Sequence, residues 1–226
     1  IIKDGIVPLD IISSSANYLH QMIGVDPPGG VYNHISGTDI IKHSDGQYYV
    51  LEDNIRCPSG VSYVICNRTA LKRALFGVFN HYKAHTVTNY AENLLDILES
   101  VKPKGVDVPN CVVITPGMYN SAFYEHSYLA KAMGVELVEG RDLFVENDFV
   151  YMKTIRGPIK VDVIYRRVDD QFLDPLEFRP DSSLGVPGLF AAYIKGNVCL
   201  ANAPGTGVAD DKAVYTYMPQ IIKYYL

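Results

Sequence analysis

The chain has 226 residues, 48% of them apolar and 20% charged, enough for one large domain or two small ones with a real core. Its net charge of −5 argues against a nucleic-acid partner, because such domains carry a basic stripe. No stretch approaches the ~20 consecutive apolar residues of a membrane span, no C-x-x-C pair joins the four cysteines, and without a disulfide framework the expected compartment is the cytoplasm.

Residues 5–23 are predicted to form a short helix, with Ser13, Ser14 and Ser15 as a cap or loop. Pro27-Pro28-Gly29-Gly30 breaks the chain. Two apolar, β-prone runs then flank Asp45-Gly46, the signal for a two-residue type I′ turn, and predict a hairpin over about 31–55. CPSG turns the chain into a strand or helix start at VSYVICN. Apolar residues at helical spacing predict helices over 68–83 and about 88–101. KPKGVDVPN is rich in Pro and Gly and marks the best internal boundary, dividing 1–104 from 105–226.

Beyond it the pattern changes to α/β. CVVITPG reads as a buried parallel strand, followed by a helix over 120–133 closed by Gly134. VELVEG is a second strand, completing a βαβ unit whose functional loop follows its first strand. LFVENDFVYMK reads as a hairpin turning at Asn147-Asp148. VDVIYRRV is another buried strand, LGVPGLFAAYIKG a helix, NVCLANAP a strand, and DDKAVYTYMPQIIKYYL a last helix or pair of turns. There is no internal repeat.

The hairpin carries the strongest chemical signal. With Asp45-Gly46 at its centre, position 44 faces 47, 42 faces 49, and Asp39 faces Glu52 with Cβ atoms roughly 5 Å apart. Asn54, two residues past Glu52, shares that face. Like charges placed opposite each other destabilise a sheet unless a cation lies between them. Two carboxylates and an amide oxygen suit a hard divalent cation such as Mg2+; the alternative is a solvated surface hairpin that carries acids. Arg56 extends from the same face toward a phosphate or acyl phosphate oxygen, or else pairs with Asp53 or Glu52. The Pro58-Ser59-Gly60 turn offers the amides of Ser59 and Gly60 to an anion, unless it only reverses the chain.

Three further clusters are candidates. The amides around Asn120 and Ser121 lie where a strand meets a helix and suit a substrate carboxylate or phosphate; the alternative is an ordinary N-cap. Arg166 and Arg167 end a buried strand, where ligands of open α/β sheets bind. They point to opposite faces, so one of them, by preference Arg166, enters a given cleft; the alternative is a structural network with Asp169, Asp170 and Asp174. Arg141, after VELVEG, is a second loop position of this kind. GTGVADDK lacks the order of a Walker loop, and Asp210 or Asp211 is expected to cap the last helix. His126 is expected to be a packed or surface histidine.

These residues also carry a resemblance. An Asp followed thirteen residues on by Glu-x-Asn, with a nearby Arg and Pro-Ser-Gly, resembles the metal-binding end of ATP-grasp ligases. There the motif comes late in the chain; here it comes first, and a different α/β segment follows. That order, with VLEDNIRCPSGVSYVICNR, TPGMYNSAFYEHSYLAKAMG, VDVIYRRVDDQFLDPLEFRPDSSLGVPG and NAPGTGVADDKAVYTYMPQIIKYYL, resembles the circularly permuted ATP-grasp family over nearly the whole chain. The resemblance implies an α/β (α+β) fold: the metal-binding part of a permuted ATP-grasp domain, then a Rossmann-like pre-ATP-grasp domain. It implies ATP and Mg2+ as cofactors, a small-molecule carboxylate and an amine as substrates, and allows a homo-oligomer. It also implies a substrate contact for Arg166, by likeness to the glutathione-synthetase branch, and places Lys212 near the junction with a nucleotide domain.

The expected activity is therefore ADP-forming ligation of a carboxylate to an amine through an acyl phosphate. The lobe that clamps adenine is not found in these residues. The chain opens without Met and stops inside an apolar helical pattern, and it is expected to be part of a longer protein. The competing expectations are a non-catalytic nucleotide-binding or small-molecule-binding module and a subunit that needs a partner chain to complete its ATP site.

Overall fold

A computed structural model describes residues 1–82 and 85–226. Its first helix, α1, covers only Leu9–Ser13, not the whole of 5–23. The serines end it: the Ser15 hydroxyl accepts from the Asn17 amide at 3.3 Å and draws the chain into turns. A single turn of 3-10 helix follows at His20–Met22.

The hairpin pairs β1 (Gly37–Lys42) with β2 (Tyr48–Asn54) in antiparallel fashion. Its loop differs from the expected one. His43 and Gln47 close it, and Gly46 adopts φ +84°, so three residues turn the chain where two were expected. Lys42 consequently faces Tyr48, not Tyr49. The register then shifts between Asp39 and Ile40, with Leu51 as the extra residue of a β-bulge, and Asp39 comes back opposite Glu52. Two one-residue departures cancel at the carboxylate pair.

Helix α2 (Val61–Ala74) starts earlier than the spacing of its apolar residues predicts, and a break at Leu75 (φ −127°, ψ 47°) separates it from α3 (Phe76–Tyr82). The expected end at residue 83 lies outside the described residues. Then come α4 (Tyr90–Ser100), β3 (Cys111–Ile114), α5 (Phe123–Met133) and β4 (Glu136–Val138). Gly134 at φ +74° closes α5 as expected. That helix begins three residues late, because Asn120 Oδ1 accepts from the Ala122 amide at 2.9 Å and keeps the preceding segment in turns. Strands β5 (Leu143–Glu146) and β6 (Phe149–Met152) form the expected hairpin, with Asn147 and Asp148 both at positive φ.

The VDVIYRRV region divides into β7 (Ile159–Val161) and β8 (Val163–Arg166), which join different sheets. Asp162 sits at the division, accepting from the Asn110 amide at 2.9 Å and pairing with Lys160 at 2.8 Å. The remaining elements are α6 (Leu189–Ile194), β9 (Cys199–Ala201), α7 (Lys212–Tyr215) and α8 (Met218–Tyr225).

Strands β4-β3-β8-β9 form a parallel sheet in that order, and β5-β6-β7 an antiparallel one. The period-2 alternation of the parallel strands supplies two cores. Val112, Ile114, Ile164 and Leu200 pack against α6 and the antiparallel sheet. Cys111, Val113, Val163, Tyr165 and Ala201 pack against α4 and α5. Leu94 and Leu98 of α4 belong to this second core, so a boundary after residue 104 cuts through packed side chains.

Candidate functional site

The base of the hairpin brings the three expected metal ligands into register. Asp39 stands opposite Glu52, and Asn54 stands opposite Gly37. Asn54 donates its NH2 to the Gly37 carbonyl (3.4 Å), which leaves its side-chain oxygen to serve a cation. Asp53 lies on the other face, where Thr38 donates to it at 2.5 Å. The Lys212 ammonium lies 3.2 Å from Glu52 Oε2. A cavity of about 440 Å³ opens here, lined by Asp39, Glu52, Asp210, Lys212, Tyr215 and Thr216.

This donor set fits a divalent cation. A positive charge is already drawn onto Glu52, the oxygens are hard ligands, and the cavity has room for waters. Among the described residues no group of three or more His, Cys, Asp or Glu side chains is placed to hold a metal.

Asp210 fixes the end of β2. Its carboxylate accepts from the amides of Ile55 (2.6 Å) and Arg56 (3.3 Å). Asp211, not Asp210, caps α7 by accepting from the Ala213 amide at 2.9 Å. The Ser15 hydroxyl and that amide hold the Asp211 carboxyl below the usual range. Arg56 pairs with Asp169 at 3.5 Å and Asn17 at 3.3 Å, rather than with Asp53 or Glu52. Its stem lies against Gly207, where a Cβ would come within 3.0 Å of the Arg56 side chain. The guanidinium remains partly exposed.

The anion offered to the Ser59-Gly60 turn comes from the protein itself. Buried Glu125 on α5 accepts from the Gly60 amide at 2.8 Å, the Ser62 amide at 3.0 Å and the Ser62 hydroxyl at 2.9 Å. These are the amides at the start of α2, where a negative charge is stabilised. Arg167 completes the cluster, 3.3 Å from Glu125 and donating to the Pro58 carbonyl at 2.5 Å. A phosphate at Gly60 would have to displace a carboxylate from its hydrogen bonds.

The two arginines do point to opposite faces, but each is buried. Arg166 donates to the carbonyls of Asn202 (2.6 Å), Val168 (3.1 Å) and Ala203 (3.2 Å) and pairs with Asp170 at 2.8 Å. Arg167 also donates to the Tyr165 hydroxyl at 3.1 Å. Both guanidiniums are held inside protein networks rather than aimed into a cleft. Asn120 caps the turn before α5, Ser121 is exposed beside it, and exposed Arg141 pairs with Glu139 at 3.1 Å. None of these three lines the cavity at the hairpin.

His126 is packed, as expected. Its Nδ1 lies 2.8 Å from the Thr115 hydroxyl, and burial, with Arg167 nearby, lowers its pKa to about 4. Burial pushes the Cys57 thiol up. Two organising residues, Glu125 and Asn202, carried no legible signal. Glu125 reads as an ordinary helix residue. Asn202 accepts from the amides of His34 (2.7 Å) and Ile35 (2.9 Å) and donates to the Ile35 carbonyl at 2.7 Å, tying the approach to β1 onto β9.

A mixed α/β fold with an opposed carboxylate pair at the base of a hairpin is of the ATP-grasp-like kind. The chain belongs to the circularly permuted ATP-grasp type 2 family, whose model matches residues 1–226. It is 53% identical to an uncharacterised protein of Synechocystis sp. over its whole length, which covers 47% of that relative. An uncharacterised protein of Mycobacterium tuberculosis is 51% identical, with 41% of its length covered. A Frankia alni protein provisionally named as a glutamate–cysteine ligase is 36% identical, with 26% of its length covered. The chain thus spans less than half of each of these relatives. No helix among its described residues is long and apolar enough to cross a membrane.

Proposed function

We propose that this chain supplies the metal-binding and part of the substrate-binding surface of an ATP-dependent carboxylate–amine ligase. The observation that carries the reading is the register of the hairpin, which sets Asp39 opposite Glu52 with Asn54 next on the same edge. Family membership and the name of the Frankia alni relative support the ligase class. In this reaction the γ-phosphoryl group of ATP passes to a substrate carboxylate, an amine attacks the resulting acyl phosphate, and an amide, ADP and phosphate are formed. Bound Mg2+ would offset phosphate charge during transfer.

Asp39, Glu52 and Asn54 would hold that ion. Asp210 keeps Asn54 and Arg56 in place by fixing the backbone between them. Arg56, partly exposed at the end of β2, is the cation best placed to meet a phosphate or acyl phosphate oxygen. Lys212 neutralises Glu52 and would move toward phosphate when the ion is bound. The parallel sheet beside the hairpin is the proposed pre-ATP-grasp part, and a cytoplasmic setting goes with this chemistry.

The test is ATP turnover by the natural protein with Mg2+, across a panel of amino acids and small peptides, following ADP release and product mass. Release that requires both a carboxylate and an amine, with Glu52→Gln lowering Mg2+ affinity at least about tenfold, is the expected result. Mg2+-independent nucleotide binding with no turnover, unchanged in Glu52→Gln, would replace the ligase with a binding module.

A further inference from the structure

A second cavity, of about 440 Å³, opens beyond the carboxyl end of β9. In open parallel sheets this is the end at which ligands bind. The segment after β9 walls it from Pro204 to Ala209, and Tyr18, Leu19, Met22 and Ile23 supply a further wall. The lining is apolar apart from Tyr18, Tyr32, Asn33 and Thr206, and no charged side chain is part of it among the described residues. Two of those polar groups are already engaged. The Thr206 hydroxyl donates to the Ala203 carbonyl at 2.9 Å, and the Tyr32 hydroxyl to the Val25 carbonyl at 3.4 Å. A ligand here gains chiefly by burying apolar surface.

Buried charges pin the wall from behind. Arg166 donates to the Asn202 and Ala203 carbonyls, and its partner Asp170 accepts from the Gly205 amide at 3.2 Å. Gly205, at φ +84°, lets the backbone approach Met22, where a Cβ would come within 3.3 Å of the side chain. Held in this way, the wall presents a fixed shape. The cavity also adjoins the hairpin site. Residues Thr206–Asp210 form one turn that serves both: Val208 and Ala209 line this cavity, and Asp210 lines the one at Asp39 and Glu52. Arg56 lies against Gly207 and bonds Asn17, and the chain neighbours of those two, Thr206, Val208 and Tyr18, all line the cavity.

We propose that this cavity receives the apolar side chain of the carboxylate substrate, so that the acids taken are aromatic or branched aliphatic ones. The carboxyl group would lie toward Arg56 and the apolar tail in the cavity. The substrate role rests on the ligase reading; binding of such an acid does not. The volume is near the lower end for small-molecule pockets and suits one ring or one branched chain. An adenine ring, with polar atoms around its edge, finds fewer free partners here.

Isothermal titration of the natural protein with 3-phenylpropanoate, without ATP and in EDTA, tests the binding. The expected result is one saturable site, at least about tenfold tighter than for acetate and unchanged in Glu52→Gln. Ala209→Leu, which fills the space, should weaken it at least about tenfold. So should Ile23→Asp, which sets a negative charge at a rim position 68% exposed, where a substitution leaves the fold intact. In turnover with ATP, Mg2+ and an amine, Ala209→Leu should raise KM for 3-phenylpropanoate and not for acetate. Binding that follows this pattern with no turnover would remove the ligase reading and leave the cavity as a site for apolar acids. No binding at millimolar concentration would mean that another part of the natural protein fills the cavity, and would overturn the proposal, as would binding that both variants leave intact. Equal binding of 2-phenylethylamine would overturn the assignment to the carboxylate. Tighter binding of adenosine, lost in Ala209→Leu, would reassign the cavity to a nucleoside.

Discussion

Glu125 shows how far a residue's role departs from its sequence context. It lies in the first turn of α5, where a surface acid is commonplace, yet it is 1% exposed and joined to the start of α2 and to Arg167. Replacing it by Gln would leave Arg167 buried with its charge uncompensated, at a cost of roughly 3–5 kcal/mol. For a chain of this size that is a fall in Tm of about 6–20 °C. Glu125→Gln measured by calorimetry should show this loss, and Glu125→Gln/Arg167→Met should recover part of it. Failure of the double variant to recover any would mean that lost packing, not an unpaired charge, sets the cost. The hairpin residues behave differently. Asp39, Glu52 and Asn54 were legible because their placement depends on local pairing.

At the level of elements, the hairpin is anchored at its base by side chains from elsewhere. Asp210 binds the Ile55 and Arg56 amides across 155 and 154 positions of sequence. Asp210→Ala should therefore cost roughly 1.5–3 kcal/mol. Hydrogen exchange should speed up first at Ile55 and Arg56; protection that stays unchanged there would show that the anchor does not hold β2. The two faults in the expected register are also of this scale. The Asp45-Gly46 signal marks a turn, but both the two-residue and the three-residue loop use a glycine at positive φ.

Across the whole molecule, packing sets the response to pH. His126 is buried between α5 and the parallel sheet, and its pKa falls from an ordinary 6.5 to about 4. Between those values the unfolded chain binds the proton and the folded chain does not. Stability from this residue is therefore complete above about pH 6.5, declines as pH falls toward 4, and is flat below that. The contribution is at most roughly 3 kcal/mol. Melting temperature measured from pH 7 to 4 should drop more steeply for the parent than for His126→Gln, and equal slopes would exclude His126 as the source.

The α/β class, the buried parallel strands, the Asn147-Asp148 turn, the glycine that ends α5 and the Asp39–Glu52 opposition were all determined by the sequence. Each rests on interactions within a few residues or across one hairpin, which periodicity and turn chemistry express directly. Only the tertiary structure decided that Arg166 and Arg167 are buried struts, that Glu125 fills the turn at Gly60, and that Lys212 meets Glu52. These contacts join residues 4 to 160 positions apart, and most of them cross between elements. An arginine at a strand end reads alike whether it faces a ligand or a carboxylate brought there by another element. The chemistry of the donor is the same, and only the packing of the chain chooses its partner.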